Sequence, residues 1–159
     1  MPAAFVIVAC TVMLSSCERR ETGKVPDMDR CRELDLDQYR WKNRLVLIFA
    51  PSNADDYYLK QKKELAGKAH ELEDRHIIIF ELLESGKSTI DKLSLSDEQQ
   101  SYLRQEFEVP EEDFMFFLIG KDGTIKLRSN EVVSTADLFA LIDSMPMRRE
   151  EMRRKLSEP

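Results

Sequence analysis

Two short unbroken apolar runs set the architecture of this chain: Leu45-Val46-Leu47-Ile48-Phe49 and Ile77-Ile78-Ile79-Phe80. Apolar runs of that length, with no polar alternation, read as strands covered on both faces. Between them, Asp55–Glu73 repeats with a helical period, with Tyr58, Leu65, Ala69 and Leu72 on one seam. Its polar side carries Asp56/Lys60, Lys60/Glu64 and Glu64/Lys68 at the four-residue spacing that supports an exposed helix face. Two parallel buried strands joined by a helix make a right-handed crossover unit.

The pattern continues past a polar excursion, Ser85 to Leu95. Ser96-Asp97-Glu98-Gln99 has capping-box spacing and opens a helix running to about Phe107. Phe114–Ile119 is a third strand, and the tight turn Gly120-Lys121-Asp122-Gly123 returns it into Thr124–Arg128 as an antiparallel partner. Ser134 and Asp137 cap a last core helix, with Leu138, Leu141, Ile142 and Met145 at i, i+3, i+4, i+7. The order β-α-β-α-β-β-α predicts an α/β thioredoxin-like fold, a mixed four-stranded sheet with helices on both faces. A helical turn is expected near Asp35–Tyr39, where the domain begins.

At 159 residues there is room for one ordinary domain. A net charge of −6 excludes a general nucleic-acid binder, which shows a basic excess. Three cysteines exclude a disulfide-dense scaffold.

Residues 1–16, MPAAFVIVACTVMLSS, carry no charged side chain, and the apolar stretch Ala3–Leu14 is too short to span a bilayer. It has the length of a signal-peptide core. Leu14-Ser15-Ser16-Cys17 resembles a bacterial lipobox, which makes Cys17 the expected lipidation site. Ile7-Val8-Ala9-Cys10 also fits, but leaves almost no core upstream. Met1-Pro2-Ala3 lacks the basic residue that normally opens such a signal. Glu18 rather than Asp follows the lipobox cysteine, which implies a lipid anchor in the outer membrane, facing the periplasm. The expected organisation is a signal peptide over 1–16, lipidated Cys17 and a polar tether over 17–37, the domain over 38–145, and a basic carboxy-terminal helix over 146–159. In the processed chain Cys31 is the one remaining thiol.

Tyr39–Pro51, Asp74-Arg75, Leu118–Gly123 and Ile142–Met152 form a set. Together they resemble a bacterial domain-of-unknown-function family that is shared with vertebrate sushi-repeat and coiled-coil extracellular matrix proteins. That family is thioredoxin-like and distantly peroxiredoxin-like, and the likeness covers roughly residues 36–155. It implies a fold and an extracytoplasmic setting; no established catalytic residue comes with it.

A thioredoxin-type enzyme keeps its reactive cysteine just after the first strand, where the helix amino terminus stabilises the thiolate. Here that loop reads Pro51-Ser52-Asn53-Ala54-Asp55-Asp56, with Asn53 and Asp56 where a Cys-x-x-Cys pair would stand. Neither attacks a disulfide or a peroxide. The proline that usually precedes the third strand is displaced, and Phe114 takes its place. Asp55 and Asp56 oppose an anion at the helix start, which leaves Ser52 or Asn53 as its expected cap.

Other motifs carry less. Glu84–Ser88 brings a phosphate-binding loop to mind, but Glu81 stands where that motif needs glycine. His70 and His76 match no metal-ligand spacing, and Ser52 has no base at a readable distance. Glu111-Glu112-Asp113 read as surface acids. No metal and no cofactor are expected. Residues 145–156 hold five basic side chains against two acidic ones. Such a segment suits an anionic lipid or an acidic partner. The expected function is a lipid-anchored, non-catalytic binding or scaffolding domain of the bacterial cell envelope. Its membrane contact is the lipid, its partner an envelope protein, and its binding residues Pro51, Ser52, Asn53, Asp55, Asp56, Met147, Arg148 and Arg149. The alternative is a peroxiredoxin-like or thiol-dependent oxidoreductase using Cys31.

Overall fold

The computed structural model describes residues 34–157. The chain enters through a single 3-10 turn, Leu36–Tyr39, capped by the Asp35 carboxylate on the Asp37 N–H. The strand β1 (Arg44–Ser52) follows, buried along its first seven residues. The helical stretch after it is two helices, α1 (Asp56–Leu65) and α2 (Ala69–Asp74), where the repeat alone predicts one. The break falls at Ala66-Gly67, where Gly67 takes φ +75°, a conformation that side-chain-bearing residues resist.

Strand β2 (Ile77–Ser85) runs parallel to β1, with Arg44 opposite Ile77 and Ser52 opposite Ser85. The polar excursion after it holds a small hairpin, β3 (Thr89–Ile90) and β4 (Leu93–Ser94), turning through Asp91 and Lys92 at φ +42° and +76°. Helix α3 (Asp97–Glu106) opens with the full capping box, Ser96 and Gln99 bonding reciprocally. Strand β5 (Met115–Ile119) then pairs antiparallel with β1 and with β6 (Ile125–Ser129). Helix α4 (Thr135–Ser144) is capped by Ser134, and α5 (Pro146–Ser157) follows after Met145 alone. Pro146 occupies the first helical position, where its missing N–H costs nothing.

The sheet therefore has six strands in the order β4-β3-β2-β1-β5-β6, not four. The expected strands are β2, β1, β5 and β6, contiguous in that order, and β3 and β4 extend the sheet beyond β2. Alternate residues of β1 build two cores. Val46, Ile48 and Ala50 pack with Tyr58, Leu72, Leu138 and Ile142, under α1, α2 and α4. Leu45, Leu47 and Phe49 pack with Leu103 and Phe117, on the side of α3 and the 3-10 turn.

Candidate functional site

The edge where a thioredoxin-type fold carries its chemistry is the carboxyl end of β1. Pro51 and Ser52 close that strand half-buried, and Asn53 and Ala54 are exposed. The helix cap is Asp55 rather than Ser52 or Asn53: its carboxylate accepts the Tyr58 N–H at 2.8 Å. Ser52 Oγ instead accepts the Ala54 N–H, at 3.3 Å. A carboxylate has the charge to complement a helix amino terminus, so it takes the position that a thiolate would otherwise exploit. Asp56 lies in the first turn. Tyr57 stacks on Phe114 with ring centroids 5.6 Å apart, so an aromatic pair stands where the usual proline would lie.

Behind the loop, three polar side chains hold the backbone. Gln61 is fully buried and clamps Val133 both ways, donating to its carbonyl at 3.0 Å and accepting its N–H at 2.8 Å. Ser88 Oγ accepts the Leu83 N–H at 2.9 Å and donates to the Leu83 carbonyl at 3.2 Å. Arg104 is buried and donates to Ala50 O at 2.6 Å and Pro110 O at 2.8 Å. Its Nε forms an ion pair with Glu84 Oε2 at 3.2 Å but has no hydrogen-bond partner. Sequence reading missed all three. For Gln61 and Arg104 the only signal is a polar residue on the apolar side of an amphipathic pattern, and Ser88, in the polar excursion, has none.

His76 is far from this loop, at the start of β2, with Nδ1 3.2 Å from Lys121 Nζ. Burial, then the Lys121 charge, push its pKa down. His70 is exposed. Among the described residues no group of three His, Cys, Asp or Glu side chains is placed to hold a metal. Cys17 and Cys31 lie outside the described residues.

The other expected site is rearranged. Arg148, expected at a docking surface, is 3% exposed and turned into the domain. It donates to the Asp74 carbonyl at 2.8 Å, pairs with the Asp74 carboxylate, and reaches Asp143 Oδ1 at 3.1 Å. Asp143 also holds Arg75 at 2.6 Å, and Lys155 pairs with Asp74. Lys155 and Arg148 together hold the Asp74 carboxyl down at about 2. Beside them Glu151 takes both terminal nitrogens of Arg44, at 3.1 and 3.2 Å, and Lys121 at 2.8 Å. Partial burial pushes the Glu151 carboxyl up, but the Lys121 and Arg44 bonds outweigh it and leave it low. Helix α5 is thus fastened to the starts of β1 and β2 by charge. Met147 stays 38% exposed, beside Trp41 and Arg154 in a surface groove, and Arg149 points outward. The structure does not bring Met147, Arg148 and Arg149 onto one surface, nor any of them to the Pro51–Asp56 loop.

The fold has a solved counterpart in a thioredoxin-fold protein from Helicobacter pylori, at TM-score 0.50 and 14% identity, covering 79% of this chain and 84% of that one. Such a likeness bears on the fold alone. In sequence, the chain is 31% identical over 147 residues to coiled-coil domain-containing protein 80 of Danio rerio, a match covering 82% of this chain and 17% of the relative. It is 32% identical over 112 residues to the sushi repeat-containing protein SRPX2 of Xenopus laevis, covering 69% and 24%. The chain spans a quarter or less of the length of these relatives. Residues 35–151 match the family described as Domain of unknown function (DUF4174). Matched over most of its length, the chain belongs to the DUF4174 family.

Proposed function

We propose that this is a lipid-anchored protein of the bacterial cell envelope, held through Cys17 at the outer membrane and facing the periplasm. Its thioredoxin-like domain binds or scaffolds an envelope partner and does no redox chemistry. The observation that carries this reading is the helix start after β1. Its amino terminus is filled by the Asp55 carboxylate, and residues 51–56 supply no thiol, imidazole or amine. A loop of that chemistry can present hydrogen-bonding groups but cannot attack a disulfide or a peroxide.

The test pairs two assays. Peroxide and disulfide turnover is measured for soluble protein beginning at Glu18 and for its Cys31→Ser variant; no turnover in either is expected. Turnover that disappears with Cys31 sinks the non-catalytic reading. Separately, the full chain is expressed in a Gram-negative host with radiolabelled palmitate. Label in the outer-membrane fraction that Cys17→Ser abolishes is the expected result, and an unlabelled wild-type chain removes the anchor.

A further inference from the structure

Charge divides between the two ends of β1. The network that fastens α5 holds five cations, Arg44, Arg75, Lys121, Arg148 and Lys155, against the three carboxylates of Asp74, Asp143 and Glu151. Outside that network α5 exposes Arg149, Arg153 and Arg154, and Lys42 stands exposed in the turn before β1. Against them stand Glu150, shared between Arg153 and Arg154, and the exposed Glu73 on α2. Asp37 and Asp122, at the same end, are matched by Arg40 and Lys126. Among the described residues neither Lys42 nor Arg149 pairs with a carboxylate. At the other end of β1, the exposed Asp56, Glu111, Glu112 and Asp113 outnumber Lys60 and Lys87. A chain of net charge −6 thus keeps one cationic end, which an anionic plane attracts while repelling the other.

The cationic end also carries the one tryptophan of the chain. Trp41 is 62% exposed, and its backbone N–H donates to the Lys121 carbonyl at 2.6 Å. Its φ of +63° would suit glycine better, and it belongs to neither core, so folding gives no reason for an indole there. It borders the groove with Pro146, Met147 and Arg154, and the Arg40 guanidinium lies 5.7 Å from its ring centre. An exposed indole and thioether edged by arginines match the boundary between lipid headgroups and acyl chains, where tryptophan accumulates and cations meet phosphates. A protein partner would have to supply a pocket for the indole, whereas a bilayer needs none. The segment from Cys17 to Leu34 reaches at most about 60 Å, so a chain anchored at Cys17 keeps the domain within reach of the membrane at high local concentration.

We propose that the α5 end of the domain docks on an anionic bilayer. Trp41 and Met147 enter the interface, and Lys42, Arg149 and the arginines around Glu150 face lipid phosphates. The Pro51–Asp56 loop is then turned away from the membrane, toward the envelope partner. The proposal draws on the lipid-anchor reading for proximity alone.

The experiment uses protein beginning at Glu18, which contains both cores whole and lacks the apolar segment Ala3–Leu14 that would bind vesicles unaided. It is mixed with vesicles of equal parts phosphatidylglycerol and phosphatidylcholine, and with phosphatidylcholine alone. Co-sedimentation with the mixed vesicles is expected, weakened by salt, with Trp41 emission shifted to the blue and quenched by brominated acyl chains. A cation near an anionic surface is worth about fivefold, so Lys42→Gln with Arg149→Gln should weaken binding about 25-fold. Neither residue belongs to the fastening network, so the urea midpoint should not move. Trp41→Gly suits the backbone, removes the indole and is expected to weaken binding about tenfold. No binding to the mixed vesicles overturns the proposal. So does equal binding to both compositions, unshifted Trp41 emission in the sedimented protein, or unchanged affinity of the Lys42 and Arg149 double variant. Capture by polyglutamate but not by vesicles gives the surface to an acidic protein and overturns it as well. Vesicle binding by this soluble chain needs no palmitate, so failure of the anchor reading and failure of the docking surface are read separately.

Discussion

Replacing Glu151 by alanine tests whether charge alone fastens α5. The carboxylate accepts both terminal nitrogens of Arg44 and lies 2.8 Å from Lys121. Arg44 is 1% exposed and Lys121 8%, so the truncation strands two buried cations at once. Breaking a buried pair from one side costs about 3–5 kcal/mol. Arg44 keeps its bond to the Arg75 carbonyl at 2.8 Å, and Glu151 is 19% exposed, which places the expected loss near the lower figure, about 3 kcal/mol. In urea, with a slope of about 1–3 kcal/mol per molar, the midpoint should fall by roughly 1–3 M. A double variant, Arg44→Met with Glu151→Met, removes both charges and replaces them with apolar volume. It is expected to cost clearly less than the two single changes summed, a coupling of about 2 kcal/mol. Strict additivity, or a Glu151→Ala loss under about 1 kcal/mol, would refute the reasoning and leave α5 held by something other than this pair. A fall in the slope as well would mean that α5 comes away before the rest unfolds.

Acid should loosen the same end. The Asp74 carboxyl sits at about 2 in the fold against an ordinary 3.8, so its contribution is complete above the ordinary value and drains as pH falls toward 2. A urea-midpoint series should therefore be flat down to about pH 5 and decline below it, and Asp74→Asn should flatten that acid decline. Gln61→Leu removes both bonds to Val133 and leaves a buried N–H and C=O unpaired. A loss of about 2–3 kcal/mol is expected, with faster amide exchange at Val133. Asp55→Ala should cost about 1 kcal/mol through the lost cap, most of it restored by Asp55→Asn, as read by chemical denaturation.

The long strands were legible because each is buried on both faces and so spells itself out as an apolar run. The caps at Ser96 and Ser134 were legible because their chemistry is local. The break at Gly67 was not. Tyr58, Leu65 and Leu72 are seven apart and reach the same core from both helices, so the repeat runs on through the gap. The β3–β4 hairpin was invisible for a different reason: two-residue strands have no period to detect. Arg148 shows the deeper limit. In α5 the inward residues are Arg148 and Glu151, with Lys155 reaching Asp74 from the same side, and reading by apolar face discards such a stripe. The available signal was charge at i, i+3 and i+7 on a helix that has no apolar seam.

The same network joins the segments on which the resemblance was read. Asp74-Arg75, Lys121, Asp143, Arg148 and Glu151 all belong to the segments that make this chain resemble its relatives. In the fold they converge with Arg44 at the starts of β1 and β2. The Pro51–Asp56 loop lies at the other end of β1, nine residues long and so roughly 26 Å away at 3.3 Å per step. Here each carboxylate is matched by at least one cation, and the Asp74 and Glu151 carboxyls are driven toward the ionised form instead of being poised to exchange protons. These ion pairs therefore fix how α5 closes the sheet.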